Sequence, residues 1–154
     1  KKLLDGYLHN LSINISDEEF KIIHKSGGLV GLILNKERLY GGKFSSSIEK
    51  LTEKEEIKDA YTKVIWDNLI QPVKALNTKT AWDVFSIGSD WDGAITHLDE
   101  YDTAAKMPNL YNDLVEYLNK YKYEKKYWFG YKPEEIVEKI MKTNGMDFLQ
   151  KHFV

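Results

Sequence analysis

The chain contains no cysteine. That excludes disulfide frameworks, thiolate zinc sites and cysteine nucleophiles, so a metal here would need His, Asp and Glu ligands. Histidine is scarce as well: His9, His24, His97 and His152 are the full set. No apolar run approaches the length of a membrane span. KKLLDGYLHN has no apolar core of signal-peptide length, and the compartment stays open. Because those residues read as the middle of something, further polypeptide is expected ahead of Lys1. A strong charge of either sign is also missing. Lys+Arg 22 against Asp+Glu 24 leaves a net charge of -2, which offers no general pull toward nucleic acid or anionic lipid.

What is present suits one domain of 154 residues, 42% hydrophobic and 30% charged. ISDEEFKIIHK opens with a capping box, Ser16 reaching Glu19, and the Gly27-Gly28 pair closes that helix. LVGLIL, residues 29–34, is a short continuous apolar run, as expected of a strand buried on both faces. Residues 35–50 are polar and read as a long loop. Thr52 and Glu55 suggest a second capping box before a long helix carrying Ile57, Tyr61, Val64, Ile65, Leu69 and Val73, with Pro72 as a kink or stop. WDVFSIG predicts a second strand over 83–88. MPNLYNDLVEYL, KPEEIVEKIMK and GMDFLQKHF read as helices.

The alternation of helices with two strands predicts parallel pairing. Two strands alone make a poor sheet. The expected fold class is therefore α/β: the closing, C-terminal portion of a TIM-type (β/α)8 barrel, incomplete on its own. In such barrels the chemistry sits on loops at the carboxyl ends of the strands, here after Leu34 and after Gly88.

The second of those loops is GSDWDG. A plain turn explains one Asp-Gly pair, because aspartates before glycine make turns. A site explains a carboxylate emerging first from a strand end, where its direction is still fixed. Asp90 is thus the catalytic candidate, able to take a proton from water or to bind metal. Asp92, beside Gly93, reads as a turn former. Trp91 either walls a pocket or packs.

NISDEE, GGLVGLIL, IGSDWDG and PEEIVEKIMKTN, in that order, resemble the C-terminal part of the membrane (renal) dipeptidase family of zinc peptidases. The resemblance covers roughly residues 13–153. It implies an amidohydrolase-like barrel, hydrolysis of a small peptide-like substrate, and two zinc ions. In the family, the aspartate matched by Asp90 sits at the zinc centre and handles the proton of the bridging water. Asn144 matches an asparagine near the last helix, and Asn14 matches the asparagine of an Arg-Asn pair. The arginine of that pair, which grips the substrate carboxylate, is replaced here by Ile13. The family's metal ligands lie upstream of the matched region, so the remaining N-terminal barrel half is an expected partner.

Other candidates each have a plainer reading. Asn35 and Arg38 follow the first strand and are candidate substrate contacts, with Arg38 a replacement anchor for a carboxylate; a solvated loop arginine is the competing reading. His97 either lines the pocket mouth or is an ordinary loop residue. His9, His24 and His152 read as loop or surface histidines. KYKYEKKYWFGY, residues 120–131, fits no period and reads as an insertion packing on the barrel rim or a neighbouring subunit. A homodimer is among the expected assemblies, and nucleic acid and transmembrane segments are not. The competing function is a non-catalytic binding or assembly module that keeps the barrel pieces without the metal ligands.

Overall fold

The computed structural model describes residues 14–153. Helix α1 spans Asp17–Ser26 and has the predicted capping box: the Ser16 hydroxyl accepts from the Glu19 amide, and the Glu19 carboxylate accepts from the Ser16 amide at 2.8 Å. Gly27 ends it in the left-handed conformation, φ 72°. Strand β1 follows at Val30–Ile33.

Residues 35–50, expected as loop, instead fold into α2, Lys36–Leu39, and α3, Gly42–Ile48. Leu39, Tyr40 and Phe44 drive this, since all three are buried. Helix α4, Lys54–Leu76, is the spine of the molecule. Its N-cap is Glu53, not Thr52, and no side chain caps it. The helix runs through Pro72 and ends one turn later at Asn77, which adopts φ 50°. Proline removes one helical donor and crowds the carbonyl four residues back, and the buried Leu69, Ile70 and Val73 around it hold the helix through that cost.

A 3-10 turn, Lys79–Val84, takes the first two residues of the expected second strand, and β2 spans Phe85–Ser89. After two short 3-10 turns come α5, Met107–Tyr121, and a 3-10 turn at Lys125–Trp128. Helix α6, Pro133–Glu138, passes through a π-helical turn, Lys139–Thr143, into α7, Asn144–Phe153.

The pairing of β1 with β2 is parallel, as expected, with Val30 opposite Phe85 and Leu32 opposite Ile87. The architecture around that pair is not the expected one. The sheet holds two strands and no more among the described residues, and helices make up most of the chain. The fold is helix-rich and is not the closing part of a (β/α)8 barrel. The remaining N-terminal barrel half loses its basis as a partner at the same point. The sequence misleads because its apolar and aromatic residues serve the packing of helices around this one strand pair and the turn before β2. Trp66 of α4 stacks on Trp82 at 5.2 Å, and Phe20 of α1 stacks on Phe85 at 5.0 Å. Full burial of such side chains contributes about 1.5–3 kcal/mol each.

Side chains alternate across a strand. Val30, Leu32, Phe85 and Ile87 pack into the helical core. Gly31, Ile33 and Gly88, on the other face, are exposed. No described helix is long and apolar enough to cross a membrane.

Candidate functional site

Parallel strands deliver both of their carboxyl ends to the same side, and the loops leaving them are stitched together there. The Leu34 amide donates to the Ser89 carbonyl at 3.2 Å, the Lys36 amide to Thr96 at 2.9 Å, and the Leu98 amide to Leu34 at 3.2 Å. Asn35 and His97 face each other in an antiparallel bridge.

Asn35 is buried, and its Oδ1 accepts from the Arg38 amide at 3.0 Å, capping α2. The Arg38 carbonyl in turn accepts from Asn14 Nδ2 at 3.1 Å. Asn14, Asn35 and Arg38 therefore meet in one turn. Arg38 is the only arginine of the sequence. Its backbone is fixed on both sides, its side chain is half-buried, and no ion pair engages its guanidinium among the described residues. His97 is half-buried too, and its Nδ1 is sealed from solvent without a hydrogen-bond partner.

Asp90 stands apart from these four. It is exposed, and no hydrogen bond or ion pair joins it to Asn35, Arg38 or His97 among the described residues. Its backbone is the unusual feature. Ser89, Asp90 and Asp92 all adopt positive φ, 44°, 64° and 66°. Most side-chain-bearing residues avoid that region because Cβ crowds the following carbonyl; aspartate visits it more readily, so Ser89 is the strained member of the three. The turn is held by the Asp90 amide donating to Gly88 at 2.6 Å and the Gly93 amide donating to Asp90 at 3.2 Å. Trp91 packs against the core and its indole N–H donates to the Tyr101 carbonyl at 3.0 Å, which is the packing reading of that residue. The Asp90 carboxylate folds back over Gly93.

The sequence reading missed the network beneath these loops. Lys36 Nζ pairs with Asp99 at 2.5 Å, and the Tyr61 hydroxyl donates to the other Asp99 oxygen at 2.8 Å. Partial desolvation works against the charge of the largely exposed Asp99, but the Lys36 ammonium and the Tyr61 hydroxyl outweigh it and hold the carboxyl below its usual range. Burial, and then Asp99 itself, push the Tyr61 hydroxyl far up. The lone signal for this network was a lysine one residue beyond the first strand-end asparagine.

Of the remaining histidines, His24 is half-buried and bonds Thr80 at 2.9 Å. His152 is exposed against the Phe148 ring. His9 and Ile13 lie outside the described residues.

Asn144 is buried and bonds two backbone carbonyls, so its place is structural. A cleft of about 330 Å³ lies at the opposite end of the strands, bordered by Gly28, Asp83, Lys139 and Phe148. Among the described residues no three His, Asp or Glu side chains gather into a group that could hold a metal ion. Asp90 supplies one carboxylate and does not by itself fit a zinc site. Compared with known proteins, the chain matches no family model, no curated protein and no solved structure.

Proposed function

We propose that this polypeptide serves a hydrolase that cleaves an amide or peptide bond in a small dipeptide-like substrate, with Asp90 handling the proton of the attacking water. One observation carries the reading: a carboxylate held in left-handed backbone at the carboxyl end of a parallel strand pair. The parallel pair sends both of its carboxyl-end loops to one side, and Asp90 emerges there. Aspartate enters the left-handed region readily, so the strain lies on Ser89 immediately before it, and strain of this kind clusters at functional sites. The resemblance of NISDEE, GGLVGLIL, IGSDWDG and PEEIVEKIMKTN, in that order, to the membrane dipeptidase family points to the same chemistry. The barrel of that family forms no part of the proposal.

In this reading the Asp90 carboxylate accepts a proton from water and returns it to the departing amine. The half-buried, unpaired Arg38 guanidinium takes the substrate carboxylate, whose two oxygens match its donor fork. Asn14 and Asn35 fix the turn that carries it, and His97 borders the same loops. Zinc belongs to the proposal only with ligands outside the described residues.

The test is Asp90→Asn in the complete natural polypeptide, assayed on dipeptides. Loss of a proton-transfer group costs about 10²–10⁴ in turnover, and that loss is expected here with an unchanged circular dichroism spectrum. Wild-type turnover in the variant would end the assignment.

A second reading is favoured by the exposed part of the sheet face at Gly31, Ile33 and Gly88, beyond Ser86, which lies against Gly145 of α7. A parallel sheet is ordinarily covered on both faces. A non-catalytic assembly module that docks through this face accounts for it. Metal analysis separates the readings: zinc with hydrolysis supports the first, a metal-free and inert polypeptide the second.

A further inference from the structure

The aperiodic stretch 120–131 forms a knuckle with a defined architecture. Lys122, Glu124 and Phe129 adopt positive φ, 48°, 55° and 52°, around the 3-10 turn Lys125–Trp128. Two indoles pin this backbone from inside. Trp82 Nε1 donates to the Tyr127 carbonyl at 2.9 Å, and Trp128 Nε1 donates to the Tyr123 carbonyl at 3.2 Å. Both tryptophans are buried. Lys122 ends α5 and Phe129 ends the 3-10 turn in the left-handed conformation, so the knuckle is a defined sequence of caps rather than a loose loop.

The knuckle presents positive charge. Residues 120–132 hold five lysines against one glutamate, in a chain whose net charge is -2. That glutamate, Glu124, is already paired with Lys74 at 2.7 Å. Lys122, Lys125 and Lys126 are exposed, and no carboxylate pairs with them among the described residues. Lys79, exposed and equally unpaired, lies 4.2 Å from the Tyr131 ring centre, and Lys126 lies 4.8 Å from that of Tyr127. Cation–π contacts hold those ammonium groups in place rather than leaving them to sweep through solvent.

We propose that this knuckle is a docking surface for an acidic segment of a partner protein. Charge complementarity selects the partner class. The tyrosine faces are already occupied by ammonium groups, so they are not free to stack bases as single-stranded nucleic acid binding requires. The chain's net negative charge disfavours long polyanions and anionic bilayers at a distance, whereas a short acidic segment senses the local lysines. The surface adjoins the turn that precedes β2, at the opposite end of the strands from Asp90, so its use is independent of the hydrolase reading.

The test is fluorescence anisotropy of a labelled oligoglutamate peptide titrated with the full chain at low salt. Parallel arms use an oligothymidine strand and phosphatidylserine vesicles. The expected result is salt-sensitive peptide binding, about tenfold weaker in the triple variant Lys122→Asn, Lys125→Gln, Lys126→Gln. Asparagine at 122 tolerates the left-handed backbone, so the variant keeps the turn. A control triple variant, Lys21→Gln, Lys25→Gln, Lys50→Gln, should bind like the wild type. Absence of peptide binding, equal loss in the control variant, or tighter binding to oligothymidine or vesicles overturns the proposal.

Discussion

Gly31 and Gly88 meet back to back across the parallel pair: a Cβ on Gly88 would lie 3.2 Å from both the Cα and the carbonyl carbon of Gly31. The obstacle is backbone, which cannot swing aside as a side-chain tip would. Gly88→Val should therefore force β2 away from β1 and lower stability by about 1–3 kcal/mol, the usual range for overpacking. Urea denaturation measures it, and an unchanged midpoint would show that the strands have slack.

Asn144 ties the end of the chain to the start of β2. Its Nδ2 donates to the Trp82 carbonyl at 2.7 Å and to the Phe85 carbonyl at 2.8 Å, and the residue is buried. The π-helical turn Lys139–Thr143 widens the helix just before it and sets its orientation. Asn144→Ala strips both carbonyls of this donor and should cost about 2–4 kcal/mol. Asn144→Asp should cost more at neutral pH, because a carboxylate would then face the carbonyls. Thermal melts of the two variants check both the loss and the ranking.

Local rules of the chain were legible where one residue decides the outcome. Ser16 and Glu19 fix the start of α1, and Gly27 its end, because capping is chemistry between near neighbours. The parallel pair was legible from its two apolar runs. What failed was the inference from two strands to a barrel. Periodicity reports which residues seek burial and not what they pack against. Polar residues 35–50 hid two helices, because three buried side chains, Leu39, Tyr40 and Phe44, suffice to anchor them. At the site, Asp90 stood out from its neighbours in sequence. The Lys36–Asp99–Tyr61 network did not, since its members are brought together only by the fold.

Asp67 and Asp99 should give opposite pH dependences. Burial pushes the Asp67 carboxyl up despite its ion pair with Lys63, and its second oxygen has no partner. A raised carboxyl disfavours the charged folded state, so its penalty is absent below the ordinary value of 3.8 and grows as pH rises through the folded value. Relative to wild type, Asp67→Asn should gain stability as pH rises above 3.8. Asp99 is held low, so its contribution is full above 3.8 and is lost as pH falls through the lower folded value. Asp99→Asn should therefore lose ground to wild type on raising pH through that lower window. Its side chain is 66% exposed, which keeps the effect small. Denaturation series at stepped pH read both slopes.

Gly93 offers a way to move the Asp90 carboxylate without removing it. A Cβ on Gly93 would sit 2.6 Å from Asp90 Oδ1 and 3.1 Å from the Asp90 carbonyl. The first obstacle is the free end of a side chain, which rotates away at little cost; the second requires a shift of a few tenths of an ångström. Gly93→Ala should leave the unfolding midpoint close to wild type while driving the carboxylate out of its present position over the turn. If Asp90 acts on a substrate, turnover should fall because a general base must lie within hydrogen-bond reach of its proton. A structural Asp90 would leave dipeptide turnover unmoved by the displacement. Comparing Gly93→Ala with Asp90→Asn on one dipeptide therefore separates a carboxylate needed for its position and charge from one that merely shapes a turn.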